Sequence, residues 1–294
     1  VRPPPLPADR DPGDNWAYAP DGTRYWGAFG AAGLLVHSPD RGVLLQHRAE
    51  WSHHGGTWGI PGGARHAGEE ALDAALREAH EEAGVPASAV HPVGVHVLDL
   101  AVWTYTTVVA HARDPFDPVA GDTESLELAW IAVDEVDRRN LHPGFARSWP
   151  TLRSALAHRP AIVVDAANVV GSVPDGWWRD RRGAASRLVA RLSVLAASGI
   201  PDAGPGLDRW YPRIVAVVEG AARGVPAATG VEVRDAPAAG DDAIVAEAAA
   251  LAAAGHAVTV VTSDRGLAGR VAGGAETRGA GWLLAHLDAV APRQ

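Results

Sequence analysis

The segment Gly63-Ala64-Arg65-His66-Ala67-Gly68-Glu69, seven further residues, and then Arg77-Glu78-Ala79-His80-Glu81-Glu82-Ala83-Gly84-Val85 decides how the first half of this chain is read. Residues 69–83 have helical periodicity and stop at Gly84, a residue suited to the left-handed position just past a helix. At about 100° per residue, Leu72, Ala75, Leu76, Ala79 and Ala83 fall on one apolar face. Glu78, Glu81 and Glu82 fall together in a neighbouring sector, at i, i+3 and i+4. Like charges at that spacing repel by roughly 0.2–0.5 kcal/mol per pair even when solvated. Counter-charge is therefore expected. Arg77, four residues before Glu81, serves one carboxylate. A hard cation such as Mg²⁺, which takes oxygen ligands at about 2.1 Å, suits the rest. A solvated, Glu-rich helix face is the competing reading, and spacing alone does not separate the two.

Around that helix the pattern is strand-rich. Residues 33–38 and 43–47 are short apolar runs across a Pro39-Asp40-Arg41-Gly42 turn and read as a hairpin. Residues 93–98, 102–111 and 126–133 read as further strands. A short helix is expected near 134–140 and a closing helix at 145–157. Strands and helices without strict alternation predict an α+β fold or an α/β/α sandwich with a mixed sheet. Residues 1–22 are rich in Pro and Asp, have no apolar h-region, and read as a flexible arm rather than a signal peptide.

The pattern changes after His158-Arg159-Pro160. Ala161-Ile162-Val163-Val164-Asp165 is a continuous apolar strand ending in an acid, and Ile214-Val215-Ala216-Val217-Val218-Glu219 is another. Residues 258–262 form a third, followed by Asp264. Helices are expected at 182–198 and 242–254. Two-sided apolar strands alternating with helices predict a doubly wound parallel sheet. In such a sheet the C-terminal strand ends share one edge, outside which ligands bind. Asp165, Glu219, Asp241, Asp242 and Asp264 are all expected there. Singly, each Asp also suits a helix N-cap; together they suit a metal site for phosphodiester chemistry.

Composition sets limits. The chain has 294 residues, which fits two domains better than one. It has no Cys, so disulfides, thiolate zinc sites and a Cys nucleophile are excluded. It has no Lys; all 26 basic residues are Arg. The net charge of −9 divides unevenly. Residues 1–159 carry 13 Arg against 21 acids (−8), and residues 160–294 carry 13 Arg against 14 (−1). The acidic first half does not favour a sequence-independent grip on a long polyanion, whereas the second half leaves RNA binding open. No apolar run reaches the ~18 residues of a membrane span, and a cytoplasmic location is expected.

The wider segment resembles the Nudix (MutT-like) box. Gly63-x5-Glu69-x7-Arg77-Glu78-Ala79-x-Glu81-Glu82-x-Gly84-Val85 matches it at each defined position, and Trp58-Gly59-Ile60-Pro61-Gly62 is similar to its lead-in. The likeness spans roughly residues 24–158. It implies the Nudix fold and hydrolysis of a nucleoside diphosphate linked to another moiety. By position it implies Glu78 and Glu82 as principal Mg²⁺ or Mn²⁺ ligands. Glu81 would be a further ligand or an outer carboxylate, and the Gly62 carbonyl a backbone ligand. Glu69 and Arg77 would orient the helix carboxylates. Glu124 resembles the distal glutamate that some members use as ligand or base, with Glu127 its competitor. Trp51, Trp58, Trp103 and Tyr105 are candidates for stacking on a base, and Arg48, His53 and His54 for meeting phosphate, each against a core or loop role.

A second resemblance rests on three shorter signatures: Ile162-Val-Val-Asp165-Ala-Ala-Asn168, Gly240-Asp241-Asp242-Ala-Ile, and Val261-Thr262-Ser263-Asp264-Arg265. They look like those of NYN domains, the PIN-like ribonucleases. The likeness implies Asp165, Asn168, Asp242 and Asp264 around Mg²⁺ or Mn²⁺, with Asp241 nearby. Arg179, Arg181, Arg182, Arg187 and Arg191, beside Trp177 and Trp178, suit either a nucleic-acid track or a solvated helix face. The expectation is thus an arm at 1–22, a Nudix domain at 23–159 and a PIN-like domain at 160–294. A nucleotide substrate is expected at the first domain, with RNA a candidate ligand of the second domain and a homodimer a candidate assembly; the alternatives are a regulator in which the first domain senses a nucleotide and an enzyme that processes RNA 5′ ends.

Overall fold

The structure, a computed structural model, describes residues 11–121, 123–201 and 206–292. The chain falls into two compact units, Val1–Leu156 with Gly204–Arg209, and Ala157–Ala203 with Trp210–Gln294. The second stretch of the first unit is one that a single boundary near Pro160 does not anticipate. Part of the expected arm is in regular structure: β1 (Trp16–Tyr18) pairs antiparallel with β2 (Arg24–Trp26), and the Asp11 carboxylate accepts from the Ala67 N–H at 3.1 Å. Residues 1–10 of that arm lie outside the described residues.

The first unit continues through β3 (Ala31–Ser38), β4 (Gly42–Arg48), β5 (Trp58–Gly59), β6 (Gly62–Ala64), α1 (Ala71–Ala83), β7 (Val90–Asp99), β8 (Thr104–Ala112), β9 (Ser125–Ile131) and α2 (Pro143–Ala155). Its sheet runs β7-β8-β3-β4-β5, with β6 pairing β3 and β9 pairing β4. β3 and β8 are parallel; the other pairs are antiparallel. Leu34, Leu35, Val36, Leu44, Leu45, Val108 and Val109 are buried completely in the three central strands. Such two-sided burial is what a sheet covered on both faces requires. Helix α1 packs on β3 and β6, and α2 on β7. The expected helix near 134–140 is a single 3₁₀ turn at Val136–Arg138. At the margin of β7, the Asp208 N–H donates to the Val95 carbonyl (2.9 Å) and the Asp208 carboxylate accepts from the Val97 N–H (2.7 Å).

The second unit holds β10 (Pro160–Asp165), α3 (Ala166–Gly171), α4 (Arg181–Ser198), β11 (Ile200–Pro201), then, after the two-residue β12 (Arg209–Trp210) at the division of the chain, β13 (Arg213–Val218), β14 (Val231–Asp235), α5 (Gly240–Ala253), β15 (Ala257–Val261), α6 (Arg265–Val271), β16 (Glu276–Arg278) and α7 (Ala280–Val290). Five of these strands form a wholly parallel sheet in the order β14-β13-β10-β15-β16. Alternation along the strands sorts two cores. Ile162, Val164, Ile214, Ala216 and Val218 pack with α3, α4 and α7 residues such as Val169, Leu188, Leu192 and Leu283. Ala161, Val163, Val215, Val217 and Val260 pack with Ile244 and Leu251 of α5 and Leu267 of α6. The sheet is therefore doubly wound. The chain leaves β10 toward β13 on one side and returns to β15 on the other, so the switch point lies at the end of β10. Among the described residues no helix is long and apolar enough to cross a membrane.

Candidate active site

Helix α1 carries the first site. It begins at Ala71, two residues later than expected, because Glu69 is used elsewhere and Glu70 takes the extended N-cap conformation. It ends as expected at Gly84, whose φ of +63° lets its N–H reach the His80 carbonyl while Val85 N–H reaches Ala79. The buried face differs from the one read from Leu72 and Leu76, which are only half-buried. Ala74, Ala75, Ala79, Glu82 and Ala83 are buried instead. The helix is turned so that Glu82, rather than the two leucines, is buried.

Arg77 is the hub, and it serves more than one carboxylate. Its Nε and Nη2 grip Glu69 Oε1 and Oε2 at 2.8 and 3.0 Å. Its Nη1 donates to Glu78 Oε1 (2.7 Å) and Glu81 Oε2 (3.2 Å), and its Nη2 also to the Ala64 carbonyl (3.0 Å). Glu69 accepts in addition from the His66 N–H at 2.9 Å. Fork-on-fork pairing of this kind is the strong form of the ion pair. The Arg77 hydrogen bonds hold the Glu69 carboxyl well below the usual range, at about 2, while Glu69 pushes the guanidinium up.

The three helix glutamates are in different environments. Glu82 is 7% exposed and accepts from the Gly62 N–H at 2.9 Å, with Gln46 Nε2 at 3.4 Å. Glu78 is also largely buried, and that burial raises its pKa against the lowering effect of Arg77. Glu81 is exposed. The β6 backbone is cut to fit: a Cβ on Gly63 would stand 2.6 Å from Glu78 Oε2, and one on Gly62 would stand 2.7 Å from the Tyr105 hydroxyl oxygen. A buried carboxylate raised by desolvation, two more beside it, and glycine backbone pressed against them form an all-oxygen donor set. That set fits a hard divalent cation. The groups that could hold it are Glu78, Glu82, Glu81 and the Gly62 carbonyl.

Two neighbours, Gln46 and Ser125, were not legible as site residues. Gln46 is completely buried, donates to Ser125 Oγ at 2.8 Å as well as to Glu82, and leaves its Oε1 without a partner among the described residues. A polar residue inside the apolar run of β4 was its signal. Ser125 shares that bond. The Tyr105 phenol is raised by burial and, secondarily, by Glu82. Glu124 precedes β9, next to Ser125, and its carbonyl accepts from the Ala49 N–H at 2.7 Å. Glu127 pairs in register with His47. Two expected stacking residues are structural. Trp58 is buried, with His47 stacked on it at 4.8 Å, and Trp103 stacks on Tyr25 at 5.1 Å while its Nε1 donates to the Gly27 carbonyl.

In the second unit the strand-end acids do share an edge. Asp165 Oδ1 accepts from the Asn168 N–H (3.0 Å) and Oδ2 from Thr262 Oγ1 (2.9 Å). Asn168 Oδ1 accepts from the Ser263 N–H at 2.9 Å, tying the end of β10 to that of β15. Asp264 caps α6 through the Leu267 N–H (2.9 Å), and Glu219 accepts from the Gly240 N–H at 2.6 Å. Burial raises the Asp165 pKa, and the charges of Asp241 and Glu219 add to it. Asp242 is not the cap of α5; Ala239 is, with no side-chain bond. Asp242 instead pairs with Arg270 Nη2 at 2.6 Å, and Asp241 with Nη1 at 3.7 Å. The arginines near Trp177 also part ways. Arg191 binds Asp288 and the Ala291 carbonyl, Arg182 binds the Gly224 carbonyl, and Arg181 lies 5.5 Å over the Trp177 ring.

The NUDIX domain family model matches residues 28–153. A Mycobacterium tuberculosis protein named "Putative 8-oxo-dGTP diphosphatase 3" is 49% identical over 166 residues, which is 53% of this chain and 76% of that relative. A Bifidobacterium longum "Nucleoside triphosphate pyrophosphatase/Nudix hydrolase fusion protein" is 40% identical over 161 residues, 52% of this chain and 33% of that longer protein. The crystal structure of a Nudix hydrolase from M. smegmatis, RenU, is 47% identical, with a TM-score of 0.46 over 49% of this chain and 96% of its own.

Proposed function

The chain belongs to the Nudix family, and on that premise we propose that its first unit hydrolyses the pyrophosphate bond of a nucleoside diphosphate carrying a further substituent, using Mg²⁺ or Mn²⁺. The observation that carries this is the buried Glu82, seated on the Gly62 N–H beside Glu78 and the Arg77–Glu69 pair. Water adds to one phosphorus, the P–O–P bridge breaks, and the products are a nucleoside monophosphate and a second phosphorylated fragment. When bound at the glutamates, divalent cations neutralise the anionic phosphates and acidify water. The chain's own residues do the rest. Glu78 and Glu82 would supply oxygen ligands, and Glu81 or Glu124 would take the proton from the attacking water. Arg77 holds the carboxylates apart from one another and in register. The name of the mycobacterial relative makes 8-oxo-dGTP the first nucleotide to assay, followed by sugar nucleotides, dinucleotides and capped RNA. Glu82→Gln is expected to abolish metal-dependent turnover of whichever nucleotide the wild type cleaves. Unchanged turnover in that variant, or a wild type inert to the whole panel, rejects the reading.

A second reading concerns the other unit. The Asp165–Asn168–Asp264 edge, with Glu219 and Asp241 near enough to raise Asp165, supports a PIN-like, Mg²⁺- or Mn²⁺-dependent ribonuclease. Asp241 and Asp242 would serve it only by exchanging Arg270 for metal. Asp165→Asn should then abolish RNA cleavage and leave nucleotide hydrolysis intact; a wild type that cuts no RNA under either metal ends this reading.

A further inference from the structure

We propose that His53, His54 and His142 form a Zn²⁺ site that fastens the loop after β4 to the N-terminus of α2. His53 and His54 are neighbours in the chain and His142 lies far along it, yet each offers a ring nitrogen and these atoms all lie within 4.8 Å of one another. The His53 and His54 ring centroids are 4.2 Å apart, and those of His54 and His142 4.7 Å. Tetrahedral zinc with Zn–N bonds of about 2.0–2.1 Å sets its ligand atoms roughly 3.4 Å apart. Closing the cluster onto an ion therefore takes small movements of His53 and His54, which are exposed side chains on a loop.

The backbone around the cluster is already arranged. His54 sits at φ +56°, a left-handed conformation that a non-glycine residue rarely takes and that often marks a functional position. Its carbonyl is held by Thr57 Oγ1 at 2.6 Å. The Trp58 N–H donates to the Asn140 carbonyl (2.7 Å) and the His142 N–H to the Trp58 carbonyl (2.8 Å), so the third histidine is laced to the end of the same loop.

The donor chemistry selects the ion. Imidazole nitrogen suits zinc and its transition-metal neighbours, whereas Mg²⁺ prefers the glutamate oxygens of α1. A phosphate would instead need imidazolium groups. The His142 ring is not one, because its Nδ1 accepts from the Gly144 N–H. Arg24 and Arg48 add positive charge beside His53 and oppose a cation; the Glu50 carboxylate, close against Gly56 in the same loop, offsets them in part. Loading has one defined structural consequence. His142 Nδ1 accepts from the Gly144 N–H at 3.2 Å. A metal on Nε2 places the ring proton on Nδ1, so the Gly144 amide loses that acceptor.

The test uses the full chain, stripped with chelator and then kept in a large excess of Mg²⁺ to occupy the glutamates. Zn²⁺ is titrated in competition with a chromophoric chelator. One equivalent per chain is expected, with affinity weakened by about tenfold or more in His53→Ala and in His54→Ala. Both positions are exposed, so circular dichroism should match the wild type. Co²⁺ in place of Zn²⁺ should give the strong visible bands of a four-coordinate, nitrogen-ligated ion, and the Gly144 amide resonance should move on loading. No zinc uptake, uptake unchanged in both variants, or a purely octahedral Co²⁺ spectrum overturns the site. So does binding of inorganic phosphate, rather than zinc, that both variants lose.

Discussion

Gly63 and the carboxylate of Glu78 occupy adjoining space so tightly that a β-carbon on Gly63 would stand 2.6 Å from Oε2. The first prediction follows directly. Gly63→Ala should leave the fold intact, since β6 is short and its pairing with β3 uses only the backbone. It should push Glu78 out of line and lower kcat/KM by about a hundredfold, as misplacement by roughly 1 Å does elsewhere. Steady-state kinetics beside a thermal melt measures both; full activity would mean that the contact does not position the carboxylate.

The Arg77–Glu69 pair makes a pH prediction. Glu69 titrates at about 2 in the fold against an ordinary 4.5, a depressed value. Its contribution to stability is therefore complete above pH 4.5 and is lost as pH falls toward 2. Glu69→Gln should destabilise the protein by about 2 kcal/mol at pH 7 and by much less near pH 2. Urea denaturation at the two pH values would show this, and an equal deficit at both would contradict it.

Metal removal is the third test. Glu78 is raised by burial, so its charge costs the metal-free fold stability. Glu78→Gln should melt within a few degrees of the chelated wild type, or above it. Added Mg²⁺ should raise the melting temperature of the wild type and leave the variant nearly unmoved. Differential scanning calorimetry with and without chelator decides the point.

Asp165 gives the fourth. Its raised pKa means that stability is lost as pH rises through the folded value. Asparagine keeps an acceptor for the Asn168 N–H and a partner for the Thr262 hydroxyl. Asp165→Asn should therefore flatten the pH dependence of unfolding without lowering the midpoint at pH 7, and should weaken Mn²⁺ binding to the second unit. A midpoint several degrees lower would show the charge to be structural.

Local pattern carried much of this structure. The α1 periodicity, its stop at Gly84 and the glutamate spacing were readable because each is set within a few turns of one helix. So were β10, β13 and β15, whose two-sided apolar runs suit a covered parallel sheet, and the acids that follow them. What stayed hidden depends on residues distant in sequence. Helix spacing does not say that Glu82 is buried on the Gly62 N–H and Glu81 left in water. It does not say that Gln46 in β4 reaches Glu82 and Ser125. Nothing near His142 announces His53 and His54, and the pairing of Asp242 with Arg270 rather than with its own helix end is a choice made by the packing of α5 against α6.

The hydrogen bonds from Asp208 to Val95 and Val97 bear on how this protein is handled. They come from a stretch that follows α4 and yet belongs with the first unit. A fragment ending at residue 159 would lose it and leave a bare carbonyl and a bare amide on the margin of β7. Unpaired strand margins recruit other chains. Proteolysis between the units, or expression of the first unit alone, should therefore yield a species that self-associates, while the intact chain stays dispersed.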